Sequence, residues 1–262
     1  MAELLFWPAL LAYGEAAVAF VGEVRKPGAA GRYATWGIRI GWLVQTALLA
    51  VQAARADAFP WSTWAASLNL FVWLVVTVYL VWGCQPRYRL LGLAVAPPVA
   101  VLFALAHAGG GTDTSGAGSY STVFLVLHVG LVLAAFAGFT LAAALSALYL
   151  WQERRLKRHA AEILCVRAPA LARLDELSAR TIAFALPALT LGIAVGVVRL
   201  RARGGGFDAL MAVTLLTWSV YGAYLALRYG AGVRGRRGAY LVLAGFALVV
   251  VARLVLPGTH FS

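Results

Sequence analysis

Eight apolar stretches, separated by short polar connections, account for most of this 262-residue chain. A helix needs about 20 apolar residues to cross a bilayer, and most of the stretches reach that length. The pattern predicts helices over about 3–22, 34–54, 64–83, 89–107, 119–151, 178–199, 207–228 and 239–256. We therefore expect an all-α fold, a polytopic membrane helix bundle of about eight transmembrane helices that forms a single integral membrane domain over residues 1–262.

The charged residues between the stretches predict which ends face the cytoplasm. The odd-numbered connections hold fifteen Lys and Arg residues, whereas the even-numbered ones hold four, Arg55 and Arg199, Arg201 and Arg203. Short cytoplasmic loops of membrane proteins carry such an excess of positive charge. The bias places both termini outside and the odd connections in the cytoplasm, as expected for a multi-pass protein of the inner (cytoplasmic) membrane.

Composition narrows the class further. The chain is 62% hydrophobic and only 12% charged, far from the average soluble domain. Its net charge of +12 is spread over alternate loops and forms no basic-aromatic groove, so we expect no nucleic-acid partner and take the lipid bilayer as the surrounding medium. No P-loop, HExxH, GxSxG or paired carboxylate set occurs, and we expect no enzymatic activity.

The fifth stretch is the longest and organises the rest. It carries one histidine, His128, and ends in the basic run Glu153 to Arg158. Small residues recur at every fourth position, a spacing that lets a neighbouring helix approach closely in a membrane. These are Gly130, Ala134, Gly138, Ala142 and Ser146. We expect other helices to pack along this small-residue seam.

Three of the four histidines fall at the predicted outer face. His107 closes the fourth stretch, His128 opens the fifth and His260 follows the eighth, whereas His159 lies in the cytoplasmic basic run. Two imidazoles on facing helices suit an axially ligated haem iron. By geometry alone, another metal site or a proton relay remains open.

Two further features of the sequence lead to structural expectations. Glu15 and Arg39 lie at similar predicted depths on the first two helices, so we expect an ion pair between them that holds this hairpin together. The connection over residues 152–177 is predicted to be a basic amphipathic segment on the cytoplasmic surface, interrupted at Pro169.

Four segments resemble the cytochrome c assembly family of CcsA- and CcmC-type haem-handling membrane proteins, most strongly over residues 71–262. They are FLVLHVGLVLAAFAGFTLAAALSALYLWQERRLK, LDELSARTIAFALPALTLGIAVG, LTWSVYGAYLALR and LPGTHFS. The resemblance implies a haem-binding membrane protein whose iron ligands are His128 and His260, with Arg253 near the propionates and His107 as a reserve ligand. The implied cofactor is haem b, and another cytochrome c assembly protein is an implied partner.

The sequence departs from this family at one place. Members that deliver haem carry a tryptophan-rich WGxxWxWDP-type segment, where this chain has residues 199–208 without tryptophan and with only Asp208 retained. That departure favours the HemX-like branch. The alternative function is therefore a membrane regulator of tetrapyrrole synthesis that binds a cytoplasmic haem-synthesis enzyme such as glutamyl-tRNA reductase. A small-molecule transporter is disfavoured, because no paired interrupted helices are predicted.

Overall fold

The computed structural model describes residues 2–25, 30–55, 60–61, 63–83, 89–112, 122–157, 170–203 and 207–255, and all the regular secondary structure in them is α-helical. Its helices are α1 (Ala2–Arg25), α2 (Ala30–Arg55), α3 (Trp64–Gly83), α4 (Arg89–Ala108), α5 (Thr122–Lys157), α6 (Leu171–Arg203), α7 (Ala209–Gly230) and α8 (Arg236–Val255). Seven of them, α1–α7, are long and apolar enough to cross a membrane. The predicted all-α bundle of about eight helices is confirmed.

The helices fall into two compact units, the first containing α1–α4 and the second α5–α8. The single membrane domain expected over residues 1–262 stays a prediction, as do the positions of both termini outside the membrane.

Helices α5 and α6 extend further into the fifth connection than hydropathy predicts. The last turns of α5 contain an ion pair between Lys157 Nζ and Glu153 Oε1 at 2.8 Å, and the first turns of α6 contain one between Arg180 Nε and Glu176 Oε1 at 2.7 Å. Both pairs join residues four apart, a spacing that stabilises helices but adds no apolar signal. Residues 152–157 and 171–177 are therefore helical, and the rest of the expected amphipathic segment, 158–169, lies outside the described residues.

A buried polar network ties the first unit together. The Tyr13 hydroxyl donates to Gln45 Oε1 at 2.7 Å, and Gln45 Nε2 donates to Asn69 Oδ1 at 2.9 Å. Asn69 Nδ2 donates to Gln52 Oε1 and to the Gly111 carbonyl, each at 3.2 Å. The side chains are fully buried, so each amide must find its partners inside the protein. The network fixes α1, α2, α3 and the turn after α4 relative to one another.

Helices α2 and α3 are also joined by a reciprocal pair of tryptophan–threonine contacts. Trp42 Nε1 donates to Thr77 Oγ1, and Trp73 Nε1 donates to Thr46 Oγ1, both at 2.8 Å. The two indole rings stack with centroids 5.8 Å apart. Each threonine hydroxyl donates in turn to the carbonyl oxygen of the tryptophan four residues earlier on its own helix. The segments WLVQT and WLVVT therefore form the same structure twice, in antiparallel helices.

The small-residue seam of α5 packs against α6 in the second unit. A Cβ added to Gly138 would lie 2.8 Å from the Ala185 Cβ, so the two backbones are closely apposed there. The Ser178 hydroxyl donates to the Ala142 carbonyl at 3.2 Å and lies 3.1 Å from the Ser146 hydroxyl. At Gly130 the seam ends, because an added Cβ would meet nothing within 4 Å.

Candidate functional site

His128 is held against α6 near the start of α5. Its Nδ1 lies 2.8 Å from the Gly192 carbonyl oxygen. Because a carbonyl oxygen only accepts, Nδ1 must carry the proton, and in the neutral ring the lone pair then resides on Nε2. A backbone carbonyl that orients a histidine in this way is typical of histidines that bind a metal through the other nitrogen.

The backbone of α6 makes room for this imidazole. An added Cβ at Gly196 would lie 2.8 Å from His128 Cε1 and 3.2 Å from Nδ1. Gly192, which accepts the hydrogen bond, is one helical turn earlier on the same face. The ring is half-buried rather than enclosed. Gly192 and Gly196 therefore form a cradle that fixes both the position and the tautomer of His128.

His107 belongs to the first unit and is anchored by different contacts. Its ring stacks on Phe6, with centroids 3.7 Å apart, and the edge of Trp7 also approaches it. Its Nδ1 lies 2.7 Å from the hydroxyl of the buried Thr112. Thr112 directly follows Gly111, the glycine whose carbonyl accepts from the buried amide network. His107 is thus a rigidly held, half-buried side chain.

The remaining expected ligands fall beyond what the structure describes. His260 lies outside the described residues, and so does the side chain of Arg253, although Arg253 itself is in α8. His159 also lies outside them. The joint role of His128, His260, Arg253 and His107 in haem binding stays a prediction.

The structure does not bring Glu15 and Arg39 together as an ion pair. Glu15 is exposed on α1, whereas the Arg39 guanidinium lies over the Trp36 ring, 5.1 Å from its centroid. The two side chains match in depth but not in direction around their helices. Gly37 and Gly41 lie on the side of α2 that faces α1. Arg39 lies on another side of α2, one turn before Trp42, which contacts α3. Hydropathy indicates only how deep a residue lies in the membrane, and from depth alone the sequence favours a pair between Glu15 and Arg39.

Asp208, the one residue retained from the tryptophan-rich segment, has a structural role. It is the N-cap of α7, and its Oδ1 accepts from the Met211 backbone N–H at 2.7 Å. This contact satisfies one of the N–H groups that a helix start leaves without an intrahelical partner. Asp208 therefore fixes where α7 begins.

A charge cluster that the sequence analysis did not single out lies at the opposite end of the second unit from His128. Arg228 is only 3% exposed, and its guanidinium binds Asp175 Oδ2 at 2.9 Å and Glu176 Oε2 at 3.3 Å. Asp175 Oδ1 also accepts from the Gly235 backbone N–H at 3.0 Å. The cluster joins α6, α7 and the turn before α8. Arg228 is one of the fifteen basic residues of the odd-numbered connections, and these carboxylates neutralise it. Without it, fourteen basic residues still oppose the four of the even-numbered connections.

Residues 61–258 match the cytochrome C assembly protein family. The chain is 27% identical to the cytochrome c biogenesis protein CcsA of Microcystis aeruginosa, over 83% of this chain and 82% of that one. It is 28% identical to CcsA of Guillardia theta, over 80% and 77% of the two chains. It is 24% identical to CcsA of a Picosynechococcus species, over 96% and 90%.

No solved structure matches the chain. The names of these relatives favour the expected cytochrome c assembly function over the HemX-like alternative, and placement in the HemX-like branch itself stays a prediction. Both the resemblance seen in the sequence and the matched range of the family extend over most of the helices, including α5 with His128. The chain belongs to the cytochrome c assembly protein family.

Proposed function

We propose that this chain binds and handles haem in the inner (cytoplasmic) membrane during the assembly of c-type cytochromes, without being an enzyme itself. The observation that carries the proposal is the geometry of His128. Its Nδ1–H···O=C bond to Gly192 and the close approach of Gly196 orient the ring and direct the lone pair of Nε2 away from that bond. Family membership supports haem as the ligand.

The residues that the structure describes fit haem at His128. Haem iron accepts neutral imidazole nitrogen as an axial ligand, and a hydrogen-bonded Nδ1–H raises the basicity of such a ligand. Haem b would supply the iron and the macrocycle that is transferred to a cytochrome. His128, through Nε2, and His260 would hold the haem iron, and Arg253 would neutralise a propionate.

His107, which the sequence predicts at the outer face, is proposed as the reserve ligand. Its stacking on Phe6 and its bond to Thr112 hold the ring rigidly, as a ligand position requires. Another cytochrome c assembly protein is the proposed partner, since the relatives are named for cytochrome c biogenesis.

Deletion and complementation in the source organism test this function. Deleting the gene should abolish covalently attached haem in c-type cytochromes, measured by haem staining of membrane proteins. The wild-type gene and His159→Ala should restore it, whereas His128→Ala should restore less than about a tenth, since loss of even an outer-shell partner of a metal ligand weakens metal binding about 10–100-fold. Normal c-type cytochromes in the deletion strain, with altered tetrapyrrole synthesis, would instead favour the regulatory alternative.

A further inference from the structure

The C-terminal turns of α5 and the first turn of α8 form one surface at an end of the second unit. The Tyr149 hydroxyl lies 3.1 Å from where a Cβ of Gly235 would be, and Gly235 directly precedes α8. The charge bias of the connections places this end at the cytoplasmic side of the membrane. His128 lies at the other end of the unit, and the Arg228 cluster adjoins this surface only through Gly235.

Two arginines from different helices converge on one tyrosine there. Arg236 Nη2 lies 3.4 Å from the Tyr240 hydroxyl, and its guanidinium is 5.5 Å from the centre of that ring. The Arg154 side chain, at the end of α5, also lies beside the Tyr240 hydroxyl. One turn before Arg155 on α5 is Trp151, and the Arg155 guanidinium lies over its ring, 4.3 Å from the ring centre. The guanidinium groups are therefore held in place beside aromatic rings.

Positive charge at this point is not cancelled by the protein. In the described part of the chain, neither Arg154 nor Arg236 forms an ion pair with a carboxylate. Glu153 is near enough to act on Arg236, but it is bound to Lys157 at 2.8 Å. The first N–H groups of α8 add to the positive potential, because a helix N-terminus attracts anions.

An exposed apolar strip continues from the arginines along both helices. On α8, Ala244, Ala247 and Val251 follow Tyr240 at helical spacing and are exposed; on α5, Ala147 precedes Trp151 in the same way. Tyr240 and Trp151 are 42% and 37% exposed, as is typical of aromatic residues at a membrane interface. These exposed apolar side chains therefore begin one turn from the aromatic rings and continue along the helices.

We propose that this surface is a binding site for an anionic phospholipid. The phosphate would lie between the guanidinium groups of Arg154 and Arg236 with the Tyr240 hydroxyl as a further donor, and an acyl chain would follow Ala244 and Ala247. Guanidinium groups bind phosphate through charge-assisted hydrogen bonds. A phospholipid is favoured over a soluble anion because the charged end of the site continues directly into an exposed apolar strip.

Native mass spectrometry of the detergent-purified protein with equimolar phosphatidylglycerol and phosphatidylcholine tests the site. Wild-type protein should retain phosphatidylglycerol with a preference of about tenfold, equivalent to about 1.4 kcal/mol. The variant Arg154→Gln/Arg236→Gln should lose that preference. Arg237→Gln removes the same kind of charge from the same turn of α8 and should keep it. Tyr240→Phe, which preserves the ring, should lower the preference in part and serves if the double variant folds poorly.

Three results would overturn the proposal. The double variant could keep the preference, or Arg237→Gln could lose as much of it, which would indicate a general basic surface. Millimolar inorganic phosphate could displace the bound lipid from wild-type protein, which would indicate a site for a soluble anion. Mass spectra of Arg154→Gln/Arg236→Gln and of Arg237→Gln, recorded beside those of the wild-type protein, show whether the lipid is retained or lost.

Discussion

Replacing Arg228 by alanine should lower the free energy of unfolding by about 3 kcal/mol, the lower end of the range for breaking a buried ion pair. The change leaves Asp175, which is 12% exposed, without its cation, although its bond to the Gly235 N–H remains. Glu176 loses less, because it is 41% exposed and keeps Arg180. Unfolding of the purified protein by denaturant in detergent micelles measures the difference.

Two further variants show whether the loss of stability comes from an unpaired buried charge or from the loss of any ion pair. Arg180→Ala removes an exposed pair and should cost no more than about 1 kcal/mol. The double variant Asp175→Leu/Arg228→Leu removes both buried charges and should recover most of the stability, since apolar replacements of a buried pair are often neutral or better. A loss below 1 kcal/mol for Arg228→Ala would show that the cluster does not support the fold.

Replacing Asn69 by leucine should also destabilise the protein by about 3 kcal/mol. Leucine has a similar size, but it removes one of the two acceptors of Gln45 Nε2, which keeps the Asn69 backbone carbonyl, and one donor to Gln52 Oε1. Removing one hydrogen-bond partner of a buried polar group costs about 1–3 kcal/mol, and two buried side chains lose one here. Thermal unfolding in detergent measures the change.

Thr35→Val is the matched control for Asn69→Leu. Thr35 lies in the same unit, but its hydroxyl only donates to the Gly31 carbonyl within its own helix at 2.8 Å. We expect a change of less than about 1 kcal/mol there. Equal effects of the two substitutions would indicate that the network is no more than a set of local contacts.

The number and order of the helices could be predicted because the bilayer imposes one length on every spanning segment. The helix ends could not, since α5 and α6 continue through charged residues that pair four positions apart. Hydropathy also does not indicate which side of a helix a residue lies on. It therefore predicts a pair between Glu15 and Arg39 from their similar depth, although Arg39 lies on the side of α2 nearer to α3.

Within the candidate site, the sequence identified His128 but not what holds it. The cradle of Gly192 and Gly196 is formed by close approach of α6, and glycine spacing alone does not indicate which side chain lies against it. Elsewhere in the chain, the repeated segments WLVQT and WLVVT are a sequence signal for equivalent positions on α2 and α3. Arg228 gave no such signal, because a basic residue at a helix end is usually solvated.

The visible absorption spectrum of the purified protein, together with its haem-to-protein ratio, tests the central claim most directly. Wild-type protein should bind haem with the spectrum of imidazole ligation, and His128→Ala should lower haem occupancy by about tenfold or change the ligation spectrum. Added imidazole should restore part of the original spectrum, and His159→Ala should match wild type. If His128→Ala keeps the wild-type spectrum and stoichiometry, haem is not bound through His128 and the account is contradicted.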